Sequence, residues 1–166
     1  MNYDIVELEE FSGTRATIYS VILDGDDLTL FDHFVDENKD AYRSEIKFIL
    51  NRIEEMNHST GAREKFFKTK EGLPGDGVCA LYDDPDSKLR LYCIRYGNAA
   101  IILGGGGCKP PDVIAWQDDD KLTQEANAMI KVSKDIIRRL NDGDLHWSSD
   151  GSQLLGNLTF TNEENE

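Results

Sequence analysis

Basic residues are scarce in this sequence. Its 166 residues carry 18 Lys and Arg against 32 Asp and Glu, a formal net charge of -14 at pH 7. A protein that grips a phosphate backbone ordinarily presents a basic face, so contact with nucleic acid would require the charge to be segregated. Cysteine is sparse too. Cys79, Cys93 and Cys108 are odd in number and stand 14 and 15 residues apart, which fits neither a disulfide framework nor a zinc ribbon. Free thiols of this kind suit a reducing compartment, where the Asn57-His58-Ser59 and Asn157-Leu158-Thr159 sequons carry no meaning. Long apolar runs are missing: the longest, such as Ala99–Leu103, fall far short of the roughly 20 residues of a membrane span. The start, Met1-Asn2-Tyr3-Asp4, has no basic segment leading into an apolar one, so no secretory signal is expected. A cytoplasmic protein with no membrane contact is the expectation.

Motifs for metals, cofactors and nucleophiles are also lacking. His33, His58 and His146 are scattered, and none sits at i, i+4 with another ligand type in a recognisable metal motif. Asp142, Asp144 and His146 alternate but lack the later ligands of a calcium loop. No Gly-x-Ser-x-Gly elbow occurs. Gly104–Gly107 with Cys108-Lys109 misses the phosphate-loop pattern, because Pro110-Pro111 would block the helix whose N-terminus holds the phosphate. Those glycines are expected to form a flexible connection that lets backbone approach closely. No metal and no cofactor is expected.

What is present is an uneven distribution of charge. Residues 1–39 hold 10 acids and 2 bases, residues 40–110 hold 10 and 11, and residues 111–166 hold 12 and 5. Only the centre could meet an anion without strong repulsion. Its bases cluster, with Arg63, Lys65, Lys68 and Lys70 close together. A solvated surface of mixed charge is the plain alternative.

The pattern of apolar residues predicts an α+β fold. Arg15–Leu23 is a β-branched strand that Asp4–Glu9 can join. A short helix over Leu28–Glu37, capped by Asp26 or Asp27, is followed by a helix on the stripe Tyr42, Ile46, Ile49, Ile53 and Met56, capped by Asp40. The two make an αα-hairpin. Val78–Leu103 then reads as a three-stranded antiparallel meander turning at 83–87 and at Gly97-Asn98. Leu122–Leu140 is a third helix, with Asp118–Asp120 at its start and Asn141-Asp142-Gly143 at its end. A single domain over 1–141 is expected, with 142–166 as a partly disordered extension that holds a short hairpin around Asp150-Gly151.

One strand carries residues with chemical potential. Along Lys88–Tyr96 side chains alternate, so Leu89, Leu91 and Cys93 face the core while Arg90, Tyr92, Ile94 and Tyr96 share the other face. RNA cleavage without a metal needs a base for the 2′-hydroxyl, cations for the phosphorane and an acid for the leaving oxygen. Arg90, the two phenols and the basic run from Lys65 to Lys70 supply such groups. An ordinary half-exposed sheet face with Arg and Tyr is the alternative.

The chain resembles the RelE/HigB-like toxins of type II toxin–antitoxin modules over roughly residues 15–140. The carrying residues are Phe31–Phe34 with Val35-Asp36-Glu37, the helix Tyr42–Met56, Gly61-Ala62, Phe66-Phe67-Lys68, Gly75–Val78 and Leu81. Leu89–Tyr92, Ile94–Gly97 and Ile101–Leu103 leading to Lys109 complete them. The resemblance implies a RelE/ParE-like antiparallel sheet. It implies an endoribonuclease that acts on translated mRNA at the ribosome, or an inhibitor of a protein target such as gyrase, with a small antitoxin as partner. Carried over by position, Lys68 and Lys70 would be the lysines before the meander, Arg90 the arginine of an Arg-hydrophobic-Tyr strand and Lys109 the lysine after the third meander strand; Lys68, Lys70, Arg90 and Tyr92 are then the expected catalytic residues, with Lys65, Arg95, Tyr96 and Lys109 expected to bind RNA. The chain departs from the family in its acidity, its length, the absence of arginine in Val78–Tyr82, and four glycines with one lysine after the third meander strand. A RelE-like module that has lost catalysis and binds a protein is the second expectation. Its acidic flanks favour a basic partner and repel ribosomal RNA.

Overall fold

A computed structural model describes residues 1–68, 72, 75–81, 88–109 and 119–161. They form an α+β domain with a mostly antiparallel sheet. Its strands are β1 (Tyr3–Glu7), β2 (Thr17–Leu23), β3 (Phe67–Lys68), β4 (Val78–Leu81), β5 (Leu89–Tyr96), β6 (Ala100–Cys108) and β9 (Thr159–Phe160). The order is β3-β4-β5-β6-β2-β1-β9. The meander β4-β5-β6 is antiparallel as the sequence predicts, while β2 lies parallel to β6. A second, two-stranded sheet pairs β7 (Leu145–Trp147) with β8 (Leu154–Gly156).

Helices cover both faces of the large sheet. On one, α1 (Leu30–Asn38) and α2 (Arg43–Glu55) bury Phe31, Phe34, Ile46, Ile49 and Ile53 against Ile18, Cys79, Leu91, Cys93 and Ile101. On the other, α3 (Asp120–Asp142) lays Leu122, Ala126, Met129, Val132 and Ile136 over Val21, Ala80, Tyr92, Ile94 and Ile102. Each large side chain so buried stabilises the fold by about 1.5–3 kcal/mol. This double cover explains why β6 begins Ala100-Ile101-Ile102-Leu103 without alternation, since a strand buried on both faces is apolar throughout.

The helix ends agree with the sequence in part. Asp119 caps α3 by accepting from the Leu122 amide at 2.8 Å, and Gly143 ends it at φ 83°. At α1, Thr29 takes the capping place expected of Asp26 or Asp27. Its hydroxyl accepts from the Asp32 amide, and the Asp32 carboxylate accepts in return from the Thr29 amide, both at 3.0 Å. This reciprocal box satisfies two amides where a lone aspartate would satisfy one. Asp26 instead accepts from the Leu28 amide and holds His33 Nε2 at 2.6 Å. At α2, Asp40 gives way to Tyr42, because the chain leaves α1 in a helical turn, with the Tyr42 amide donating to Asn38.

The four glycines differ most from expectation. They are strand β6, not a connection. A Cβ on Gly104 would stand 2.4 Å from Met129 Sδ, and one on Gly106 would stand 1.8 Å from the Arg90 carbonyl oxygen. The close approach of backbone is real, and it is what keeps this strand free of side chains. The residues after 141 also join the domain. The turn at Asp150-Gly151 forms as the sequence predicts, with the Gly151 amide donating to Ser148 and Gly151 at φ 77°. The Ser152 hydroxyl and amide and the Ser148 hydroxyl donate to Asp150, holding its carboxyl down at about 2. Beyond it, β9 pairs with β1, and Phe160 stacks on Tyr3 with ring centroids 4.8 Å apart. Of the extension expected to be partly disordered, residues 162–166 lie outside the described residues.

Candidate functional site

The residues singled out on β5 are where alternation puts them, but their face is closed. Tyr92 is 0% exposed, packed with α3 and with Ala80, Ile94 and Ile102. Across the sheet edge, Lys68 pairs with Ala80 and Ala80 with Tyr92, so these three form one row. Lys68 is exposed at the rim of that row. Arg90, half-buried, sits opposite Gly107, over which the first turn of α3 passes with Lys121. Lys70 lies outside the described residues. Lys109 follows β6 directly, its amide donating to the Lys88 carbonyl at 2.6 Å. The structure therefore gathers Lys68, Arg90 and Tyr92 on one face, and it covers the phenol.

Tyr96 is on the same face and leans on Trp147 with ring centroids 4.9 Å apart. Its hydroxyl is buried and has no hydrogen-bond partner among the described residues. Burial, and secondarily Asp76, push its ionisation well above the ordinary value of 10.0. Tyr3 is raised too, first by burial and then by the bond its hydroxyl donates to Asp135 at 2.6 Å. Both phenols stay neutral in the fold, whereas an unfolded chain releases them near 10. Stability should be fully present below about pH 10 and be lost as pH climbs beyond it. Urea unfolding from about pH 8 to about pH 11 measures this. Tyr96→Phe should flatten the decline, and it should leave stability at neutral pH unchanged or raised by about 1 kcal/mol, because the buried hydroxyl is removed.

Arg95 points the other way, to the side of α1 and α2. Its Nε donates to the Ala62 carbonyl and its Nη2 to Asn98 Oδ1, each at 2.7 Å. It belongs to a second constellation at the end of the sheet where β2 begins and β5 turns into β6. There a π-helical turn, Met56–Thr60, is pinned from three sides. The Arg15 amide donates to the Asn57 carbonyl at 2.9 Å, the Ala62 amide to Asn98 at 2.7 Å, and Asn57 Nδ2 to the Phe11 carbonyl. Gly61 at φ 76° allows the passage, since a Cβ there would be 2.9 Å from the Asn98 carbonyl oxygen. Arg15, His58 and Arg63 are exposed on these segments, and Lys65 follows one turn later. Arg63 Nε donates to the Thr60 carbonyl, and Lys65 lies 5.3 Å from the centroid of the Phe66 ring.

Arg15 and His58 escaped the sequence analysis as members of this group. The available signal was the absence of acids. Residues 11–22 and 88–109 contain no Asp or Glu, and residues 56–68 contain only Glu64. Among the described residues no group of His, Cys, Asp and Glu has the arrangement of a metal site, and no helix is long and apolar enough to cross a membrane. No family model matches this sequence, and no curated protein or solved structure is similar enough to match it.

Proposed function

We propose that this chain is a RelE-like domain that works by binding a protein partner rather than by cutting RNA. The burial of Tyr92 carries the reading. A phenol with no exposed surface beneath α3 cannot stack on a base or pass a proton to a leaving oxygen. The RelE-like part is supported by the order of elements: a strand, two helices on one face, an antiparallel meander and a closing helix. The balance of -14 adds to it, because a ribosomal RNA surface repels such a chain. The partner implied by the resemblance is a small antitoxin-like protein.

Inducible expression in a bacterium, wild type beside Arg90→Ala, tests the proposal with growth and mRNA integrity followed together. Both strains should grow alike with intact messages. Where a short protein is encoded beside this chain, co-expression with it should give one complex by gel filtration. Arrest with fragmented mRNA, lost in Arg90→Ala, would overturn the proposal. It would favour the second reading, a toxin-like endoribonuclease, for which the row Lys68, Ala80, Tyr92 and the neighbouring Arg90 speak.

A further inference from the structure

We infer that Cys79 and Cys93 are a redox modification site, a reversible disulfide that a hydroperoxide closes between β4 and β5. The inference goes beyond the binding reading and does not depend on it. Position is its first support. The two residues stand directly opposite each other in the antiparallel pair of β4 and β5. Residues so opposed have Cα atoms about 4.5–5.5 Å apart, within the span of about 4.4–6.8 Å that a disulfide bridges. Both thiols are free and buried, and their sulfurs already meet at 3.9 Å. Closing the bond asks the sulfurs to approach by about 2 Å, a movement within reach of side-chain rotation. The strands need neither part nor slide.

The third cysteine cannot compete. Cys108 stands opposite Leu89, and Cys93 stands opposite Leu103. Four residues of β5 therefore separate them, about 13 Å at roughly 3.3 Å a residue. Cys108 is bonded instead to the Tyr42 hydroxyl at 2.9 Å. The pair also lies where the sheet can open. β4 has four residues and β3 two, and among the described residues β3 pairs only with Leu81 and Ala80. Short strands at the end of a sheet part locally far more readily than the core does, so a small oxidant reaches Cys79 from that side. Cys93 lies one strand further in. Burial, and then the Cys79 thiol beside it, keep Cys93 protonated.

These positions assign the roles. Cys79, having released its proton, attacks one oxygen of hydrogen peroxide. The O–O bond breaks, Cys79 becomes a sulfenic acid, and the departing hydroxide takes up the released proton as water. The Cys93 sulfur then attacks the Cys79 sulfur. The S–O bond breaks, and the hydroxyl leaves as water with the Cys93 proton. Two thiols and one peroxide thus give one disulfide and two waters, the thiols losing the two electrons that the peroxide gains. A thiol reductant reverses the change. The closed bond ties together strand positions 14 residues apart in sequence and restricts the opening of β4. Ala80, next to Cys79, stands in the row with Lys68 and Tyr92, so oxidation stiffens the strand that carries this row.

The test treats the whole reduced chain with hydrogen peroxide, as wild type and as Cys108→Ser, in which only the pair carries thiols. The mass of Cys108→Ser should fall by that of two hydrogens. Trypsin cuts after Lys70, Lys88, Arg90 and Arg95, so Cys79 and Cys93 fall in separate peptides. These should emerge joined from both proteins and come apart with dithiothreitol. Amide exchange at residues 78–81 should slow at least about tenfold on oxidation and recover on reduction. Peptides that stay separate, oxygen added to either sulfur without a link, or links between two chains would overturn the inference. So would a link that forms only once urea has unfolded the chain, or one that leaves the exchange of residues 78–81 unchanged.

Discussion

Gly106→Ala is expected to destabilise the fold by about 3 kcal/mol or more, at the upper end of what overpacking costs. The added Cβ would lie 1.8 Å from the Arg90 carbonyl oxygen and 2.8 Å from its carbonyl carbon. Both are backbone atoms of the neighbouring strand and cannot swing aside. The strands already accommodate this approach by a register shift between Leu91 and Cys93, so the pairing has no further slack to give. Gly104→Ala is the informative control. Its Cβ meets Met129 Sδ at 2.4 Å and Cγ at 2.8 Å, side-chain atoms that can turn aside where a backbone carbonyl cannot, so its cost should be smaller, about 1–2 kcal/mol. Urea unfolding of the two variants should separate them clearly. Equal losses would mean that β5 and β6 do not touch at Gly106 as described.

Asp135→Ala is expected to cost about 3 kcal/mol, because it removes a buried acceptor shared by several donors. Asp135 is 1% exposed on α3. It accepts from the Tyr3 hydroxyl and from Lys131 Nζ, each at 2.6 Å, and Arg138 stands at 3.5 Å. The cations reach solvent and lose little without it. Tyr3 does not, being buried against Phe160. Asp135→Asn keeps an oxygen for Tyr3 and gives up mainly the pairs with half-exposed cations, so its cost should be nearer 1 kcal/mol. The damage should spread to β9, whose place is held by Arg139: it donates to the Asn157 and Thr159 carbonyls at 2.5 and 2.6 Å and lies over the Phe160 ring at 3.7 Å. Amide exchange of residues 157–160 should therefore rise in Asp135→Ala and not in Asp135→Asn.

Local periodicity made much of this fold legible. The stripe Ile46, Ile49, Ile53 reports α2 directly, and Gly97-Asn98 turns β5 into β6, while the turn expected at 83–87 lies outside the described residues. What stayed hidden depends on tertiary neighbours. Glycine has poor strand propensity, and nothing in four successive glycines says that Met129 and the Arg90 carbonyl wait on either side. Alternation along β5 gave Tyr92 its face correctly but could not say that α3 covers it. The continuous apolar run of β6 was the available hint that both faces are buried. The two-residue strands β3 and β9 are too short for any period to register. The grouping of Arg15, Arg63 and Arg95 was illegible for another reason: they come from three distant segments, and only the fold brings the ends of those segments together.

The most direct test of the central claim is primer extension on a message translated in a purified system to which this chain is added. Binding without cleavage predicts full-length extension products, the same with the wild type and with Arg90→Ala. Discrete cuts with the wild type that vanish with Arg90→Ala would show that Arg90 acts on RNA from this face after all, and would contradict the account.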